Sequence, residues 1–290
     1  MTLSIVEFGD QLLRTGDLDP VYVAVANANL DRATLARLCI AYWCFYHLGV
    51  AAKMAELHNP RAFWNAMMDA AINADKPDGT KPWPRGSERR HFRGKQAVMA
   101  MAELEAKYGK LRYFEDVLAR FVGAGGEQPM SFQTVSKSVK AHRGFGDWIE
   151  FKVADMSERV LGYPVNFSDC ALGIYKDPRQ GAAVGYLAMD RAVYTGPVDV
   201  KHHPWDYPIT DDELKATVDY YVDLWRRKRA KALPDRSRLV NVQEIETIFC
   251  KYKSHLKGHY PVGKDTREIR HGLTGWGDLA ATLQKGLPRG

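Results

Sequence analysis

Apolar residues recur at spacings of three and four along most of the chain, which is the helical period. Asp31 is placed to cap a helix running to about His58, with Leu35, Leu38, Tyr42, Phe45 and Leu48 on its apolar face. Asn59-Pro60 ends that helix and opens another, carrying Phe63, Trp64, Met67, Met68 and Ile72. Residues 75–94, DKPDGTKPWPRGSERRHFRG, read as a loop feeding a helix with Val98, Met101, Leu104 and Tyr108. The same period predicts helices at about 111–122, 130–142, 147–161, 211–232 and 239–256. From Gly162 to Pro208 short apolar runs alternate with turn residues, and helix and strand stay equally open. No repeat, low-complexity tract or Gly/Ser linker divides the chain, so a mainly α body is expected, either single or with two lobes around a cleft.

Composition narrows the class. Among 290 residues, 46% are hydrophobic and 26% charged, with 7 Trp, 14 Tyr and 11 Phe, too many buriable groups for a disordered chain. The formal charge of +6 suits a polyanionic partner. Cys39, Cys44, Cys170 and Cys250 form no Cys-x-x-Cys pair, so neither a zinc ribbon nor a disulfide framework is indicated and reduced thiols are expected. The N-terminus carries acids where a signal peptide is basic. The most apolar stretch, Leu38 to Ala52, falls short of the roughly 20 residues of a membrane span, so a soluble protein is expected.

Four clusters can carry chemistry. In Arg143-Gly144-Phe145-Gly146-Asp147-Trp148 a Gly-apolar-Gly turn joins two amphipathic segments. Such a turn lets backbone N–H groups approach a phosphate, as helix-hairpin-helix proteins do when holding a DNA backbone. It also serves as an ordinary tight connection. Asp169, in NFSD, lies 23 positions beyond Gly146, close to where helical DNA glycosylases carry a catalytic aspartate; Asn166 lies nearer to their spacing. Asp169 equally suits the cap of a helix starting at Cys170. Arg85, Arg89, Arg90, His91 and Arg93 form a dense donor array for phosphates. Cations at a helix start oppose its macrodipole, so a compensating anion is expected there.

The fourth cluster, CKYKSHLKGHYPVGKD, gathers Lys251, Lys253, Ser254, His255, His259, Tyr260, Lys264 and Asp265 around a glycine–proline turn. His255 and His259 stand at i, i+4, a zinc spacing, but Gly258 and Pro261 interrupt the helix and no third ligand is apparent; an anion pocket suits these residues better. Trp225-Arg226-Arg227-Lys228-Arg229 reads as a solvated helix surface with Trp225 packed, and the Met67-Met68 and Met99-Met101 pairs read as core. His202-His203-Pro204-Trp205 reads as an irregular loop.

RGSERRHFRG, AHRGFGDWIEFKVADMSERVLG with NFSD, and ETIFCKYKSHLKGHYPVGKD together resemble the phage amino acid:DNA transferases, first described as alpha-glutamyl/putrescinyl-thymine pyrophosphorylases and related to helix-hairpin-helix DNA glycosylases. The resemblance implies a mainly α, DNA-glycosylase-like helical domain over 1–290, with the helix-hairpin-helix at about 130–161 and an anion-binding block at about 244–265. It implies an enzyme of the infected host's cytoplasm that transfers an amino acid, with glycine favoured, through its amine to 5-phosphomethyl-deoxyuridine in double-stranded DNA, displacing phosphate. A separate kinase acting on 5-hydroxymethyluracil would supply that substrate. A free amino acid is the co-substrate, and no metal or redox cofactor is expected.

By the same resemblance Asp169, His255 and Lys251 would be catalytic. Lys253, Ser254, His259, Tyr260, Lys264, Arg89, Arg90 and His91 would bind substrate or phosphate. Arg143, Gly144, Gly146, Arg85 and Arg93 would hold DNA, although the arginines could instead grip the amino acid's carboxylate. Asp147, Asp155 and Asp265 are the other carboxylates placed to act as the base. A base-excising glycosylase and a non-catalytic DNA-binding module are the competing readings.

Overall fold

The computed structural model describes residues 3–74, 83–168, 170, 176–189, 203–231, 233–235 and 238–289. It is mainly helical: α1 (Ile5–Thr15), α2 (Pro20–Asn27), α3 (Arg32–Phe45), α4 (Leu48–Ala55), α5 (Pro60–Ile72), α6 (Gly94–Tyr108) and α7 (Phe114–Val122) precede α8 (Phe132–Lys140) and α9 (Asp147–Arg159). There follow α10 (Lys176–Ala188), α11 (Asp211–Arg227), α12 (Val242–Leu256), α13 (Lys264–Gly272) and α14 (Asp278–Gly286). Two short strands, β1 (Met130–Ser131) and β2 (Val165–Asn166), pair in parallel. The chain divides into two compact units, one of Met1–Val23, Asp169–Arg267 and Pro288–Gly290, the other of Ala24–Ser168 and Glu268–Leu287. No helix among the described residues is long and apolar enough to cross a membrane.

In the unit built on 24–168, α3 is buried at every position from Thr34 to Phe45, the signature of a central helix. The single helix expected from Asp31 to His58 is in fact two. Tyr46 turns left-handed at φ 52°, and His47 restarts the chain by accepting the Val50 N–H at 3.2 Å as the cap of α4. The break is stabilised from outside: the Gly86 N–H donates to the Phe45 carbonyl at 3.0 Å, and a Cβ on Gly86 would lie 2.1 Å from the Tyr46 oxygen. Further on, β1 and β2 bracket α8 and α9, with the Met130 N–H donating to the Pro164 carbonyl. Helix α9 buries Glu150, Lys152, Asp155, Ser157 and Arg159. Glu150 accepts from the Ser136 hydroxyl at 2.6 Å and pairs with Lys140 at 3.1 Å.

His142, just after α8, is buried against Phe121 with ring centroids 4.4 Å apart. Its Nδ1 faces the Val139 carbonyl at 3.1 Å, so Nδ1 carries the proton and Nε2 accepts from Tyr108 Oη (2.7 Å) and Lys107 Nζ (3.1 Å). Burial and the Lys107 charge push its pKa down to about 4. The neutral ring therefore ties α6 to the turn after α8.

In the other unit, the stretch that sequence periodicity leaves undecided contains α10. Gly181 brings α10 against α12, since a Cβ there would lie 2.0 Å from the Phe249 carbonyl oxygen. Trp225 is packed, as its sequence suggests: it lies over Gly9 and donates to Asp10 at 2.8 Å, while Arg226, Arg227, Lys228 and Arg229 are exposed. Of the methionines expected in cores, Met67 and Met101 are buried, but Met99 is 37% exposed on the outer side of α6. The buried anchor of this unit is Asp17. Its carboxylate accepts from the Gly263 N–H (2.6 Å), the Thr266 N–H (2.9 Å), the Thr266 hydroxyl (2.7 Å) and the Tyr260 hydroxyl (3.0 Å). It thus caps the start of α13 from a distant part of the chain, where the helix dipole favours an anion.

Asp17→Ala would leave those donors buried without an acceptor, and a loss of about 3–5 kcal/mol is expected in urea unfolding; Thr266→Ala, which removes one donor, should cost about 1 kcal/mol. His142 sets a pH dependence. Its folded pKa lies below its ordinary 6.5. The unfolded chain therefore binds the extra proton first, and stability is full above pH 6.5 and falls as pH drops towards 4. The loss is about 3 kcal/mol over that window. His142→Gln should flatten this arm in urea midpoints measured from pH 4 to 7.5; an unchanged slope would show that another group titrates.

Candidate functional site

The turn 141–146 between α8 and α9 is shaped by its two glycines, and they differ. Gly144 adopts φ 80°, and a Cβ there would lie 2.5 Å from the Phe92 ring, so it is required by the fold. Gly146 is extended, caps α9 without a side-chain bond, and faces open space where a Cβ would meet nothing within 4 Å. The turn borders an open groove lined by Gln96, Glu103, Lys140, His142, Arg143 and Phe145. The cations here carry partners: Arg143 pairs with Glu103 at 2.6 Å, and Lys140 with Asp147 at 2.7 Å as well as with Glu150. Hydrogen bonding to Asp147 raises the Lys140 pKa. Trp148 is half-buried beside the turn and meets Tyr46 edge-on at 4.7 Å.

The arginine cluster reaches the same turn from inside. These arginines precede α6 rather than occupy its first turn, with Ser87–Arg89 forming one turn of 3-10 helix. Arg89 is 6% exposed; its Nε donates to the Trp43 and Cys44 carbonyls (3.0 and 3.2 Å) and its Nη1 to the Gly144 carbonyl (2.7 Å). Its guanidinium lies 4.3 Å from the Phe92 centroid and 4.7 Å from that of Phe145. The negative partner expected from the sequence is thus, in part, the carboxy-terminal end of α3. Arg85 is half-buried over Phe45 and donates to the Ala70 carbonyl at 3.0 Å. Burial pushes the pKa of both Arg85 and Arg89 down to about 10, with Arg93 adding repulsion on Arg85. Arg90 and His91 are exposed, and Arg90 folds back onto the Ser87 carbonyl.

The 250–265 block lies in the other unit and packs around Asp17. Lys251 donates to the Asp17 and Leu18 carbonyls, each at 2.7 Å, and pairs with Asp265 at 2.6 Å. Lys253 is buried, pairs with Asp177 and donates to Gln180 at 3.0 Å, tying α12 to α10. Lys264 donates to the His259 carbonyl at 3.1 Å. Tyr260 is buried on Asp17, and burial with the charges of Asp265 and Asp17 drives its pKa far above the tyrosine range. His255 stacks on Phe8 at 4.6 Å, with Nδ1 facing the Tyr260 carbonyl at 2.9 Å and Nε2 buried without a partner. Ser254 is half-buried beside it, while His259 is exposed beyond the end of α12, so the two histidines do not share a helix face. Among the described residues no three His, Cys, Asp or Glu side chains gather as metal ligands.

Arg89 therefore gathers with the hairpin turn, with Arg85 beside it on the Phe92 ring and Arg93 beside Arg85, whereas Lys251 and Tyr260 gather with Asp17. Asp169 and His202 lie outside the described residues, and Asn166 is exposed in β2. Asp155 is buried and pairs with Arg159 at 3.4 Å. Sequence reasoning gave no role to Tyr46 or Asp17, and read His142 and Trp148 only as parts of the hairpin segment. His142 and Trp148 flank the glycine turn and were legible as its neighbours, whereas Asp17 lies about 240 positions from the residues it holds and carries no local signal.

The amino acid:DNA transferase family profile matches residues 11–260. A glycinyltransferase of Pseudomonas phage PaMx11 is 40% identical over 287 residues, covering 97% of this chain and 94% of that protein. A putrescinyltransferase of Delftia phage PhiW-14 is 25% identical over 285 residues, covering 98% and 82% respectively. With a profile match over most of its length and a relative aligned nearly end to end, the chain belongs to the amino acid:DNA transferase family.

Proposed function

We propose that this protein transfers glycine, through its amine, to the 5-methylene of 5-phosphomethyl-deoxyuridine in double-stranded phage DNA. The amine nitrogen forms the new C–N bond, the C–O bond to phosphate breaks, phosphate leaves, and the ammonium's protons pass to a base. The observation that carries the reading is the near end-to-end alignment with a phage glycinyltransferase. A phosphorylated substrate requires a prior kinase acting on 5-hydroxymethyluracil. The substitution itself requires no electron transfer, so no redox cofactor is invoked, and the reading assigns no step to a metal.

The residues support a division of labour. The turn at Gly144–Gly146, at the amino-terminal end of α9, would act as a helix-hairpin-helix element whose backbone N–H groups hold a DNA phosphate. Arg143 would exchange Glu103 for phosphate, since exposed ion pairs are worth little and exchange readily. Reaching the methylene requires extrusion of the base. His255, whose Nδ1 faces the Tyr260 carbonyl, would give a proton to the leaving phosphate, with Ser254 and His259 as further donors. Lys251, Lys253 and Lys264, engaged internally, would lend charge and hold this segment's shape; Tyr260 would position it. Asp169 would take the amine's proton.

Two outcomes test this. Incubation of phosphomethyluracil duplex with all amino acids, followed by nucleoside mass spectrometry, should show glycine added, phosphate released and the glycosidic bond intact; Asp169→Asn should slow this about 10²–10⁴-fold. Released base with alkali-labile breaks would instead assign a glycosylase, and no reaction a binding module. Gly146→Val, which the open space around Gly146 accommodates, should weaken unmodified-duplex affinity about tenfold with an unchanged melting temperature. Gly144→Val should unfold the turn and lower the melting temperature as well.

A further inference from the structure

In the unit built on 24–168 the guanidiniums of Arg85 and Arg89 share the Phe92 ring and Arg93 lies close enough to repel Arg85, and among the described residues no carboxylate pairs with any of the three. Arg89 is 94% buried by its 6% exposure, yet its Nη2 has no hydrogen-bond partner. Arg85 Nε and Nη1 and Arg93 Nε are likewise buried and unpartnered. The partners that Arg85 and Arg89 do have are all carbonyl oxygens, from Ala70, Trp43, Cys44 and Gly144. The neighbours that favour charge on Arg89 are Cys44 and Tyr46, a thiol and a phenol. Cys44 is itself pushed up to about 12 by burial, so it stays neutral and offers no counter-charge. Buried charges in native proteins are normally paired, and buried donors normally bonded. Repulsion of Arg85 by Arg93 and Arg89 makes the deficit larger.

We infer that Arg85, Arg89 and Arg93 form a pocket for a small carboxylate, the α-carboxylate of the amino acid co-substrate. The inference rests on the proposed transfer reaction for the identity of that ligand. Burial decides between the two anions that the sequence leaves open. A phosphodiester is part of a bulky polymer and is met by exposed cations, whereas Arg89 is buried against the Phe92 and Phe145 rings and Arg85 lies over Phe45. A two-carbon amino acid is small enough to reach such donors, and guanidinium matches a carboxylate in charge and planarity. Because Arg89 also holds the Gly144 carbonyl, the pocket adjoins the turn proposed to hold DNA.

The test is a carbon-13 NMR titration of carboxyl-labelled glycine into the full-length protein, with and without unmodified duplex. Arg85→Gln and Arg93→Gln are the variants, because Arg89 also supports the fold; circular dichroism checks that each is folded. Glycine binding should weaken about tenfold to a hundredfold in each variant, the worth of a charge-assisted hydrogen bond, while duplex affinity and its salt dependence stay put. Glycinamide, which lacks the carboxylate, should not compete with glycine. The inference is overturned if the variants bind glycine as the wild type does, or if they lose duplex affinity and salt slope instead, which would make the cluster a phosphodiester contact. Wild-type protein that binds inorganic phosphate but not glycine would also overturn it. If glycine binds in an Arg85- and Arg93-dependent way but no transfer to phosphomethyluracil DNA occurs, the pocket stands and the proposed reaction falls.

Discussion

Arg89 joins the three segments on which the 24–168 unit depends. Helix α3 ends in the interior, where its last carbonyls have no water to accept from. The guanidinium donates to two of them and, in another direction, to the hairpin's Gly144. One side chain thereby fixes where α3 breaks, where the turn before α6 lies, and how the glycine turn is held. Arginine suits all three, because its donors radiate in a plane while the group packs against aromatic rings, here Phe92 and Phe145. A positive charge at the carboxy-terminal end of a helix also offsets part of its own desolvation.

Asp17 is the counterpart in the other unit, with the sign reversed: an anion at the amino-terminal end of α13. The contrast between them is instructive. Four donors meet the Asp17 carboxylate, so its hydrogen-bonding capacity is met from within the protein. The arginine cluster is not completed in this way, since buried donors on Arg85, Arg89 and Arg93 remain unmatched. A buried charge with every lone pair used has a structural explanation in full; a buried charge with donors to spare points to a ligand.

Helices whose apolar face repeats over several turns were legible in the sequence: α5, α6, α8, α9, α11 and α12 lie within a few residues of their expected spans. What periodicity could not show was the break at Tyr46, because α3 and α4 are both apolar and the pattern runs through it; the break is set by Gly86 and Arg89, some 40 residues later. Helix α13 was illegible for the opposite reason. Of its residues only Thr266 is buried, so it has no apolar stripe and owes its start to Asp17. At the candidate site the residue types were readable and their surroundings were not. The lysines of 250–265 read as the cations of an anion pocket, yet Lys251 and Lys253 answer distant carbonyls and carboxylates. The glycine pair read as one motif, yet Gly144 answers the Phe92 ring and Gly146 answers open space.

The net charge of +6 invites the view that DNA is held by an excess of surface cations. Around the hairpin turn the distribution is otherwise. Arg143 and Lys140 are matched by Glu103, Asp147 and Glu150, so this groove carries little net positive charge. Under the proposed function, grip at the turn then comes from backbone N–H groups and a helix amino terminus, with side-chain cations contributing only as they exchange carboxylate for phosphate. Such a contact releases few counterions and reads no sequence. It suits an enzyme whose substrate is marked by a chemical group on the base, because recognition then rests on what enters the site after extrusion rather than on tight hold of any one stretch of duplex. Under the inferred carboxylate pocket, keeping Arg85 and Arg89 away from the polyanion would serve the same end: charge that would bind DNA indiscriminately at the surface would be reserved for a small anion in the interior.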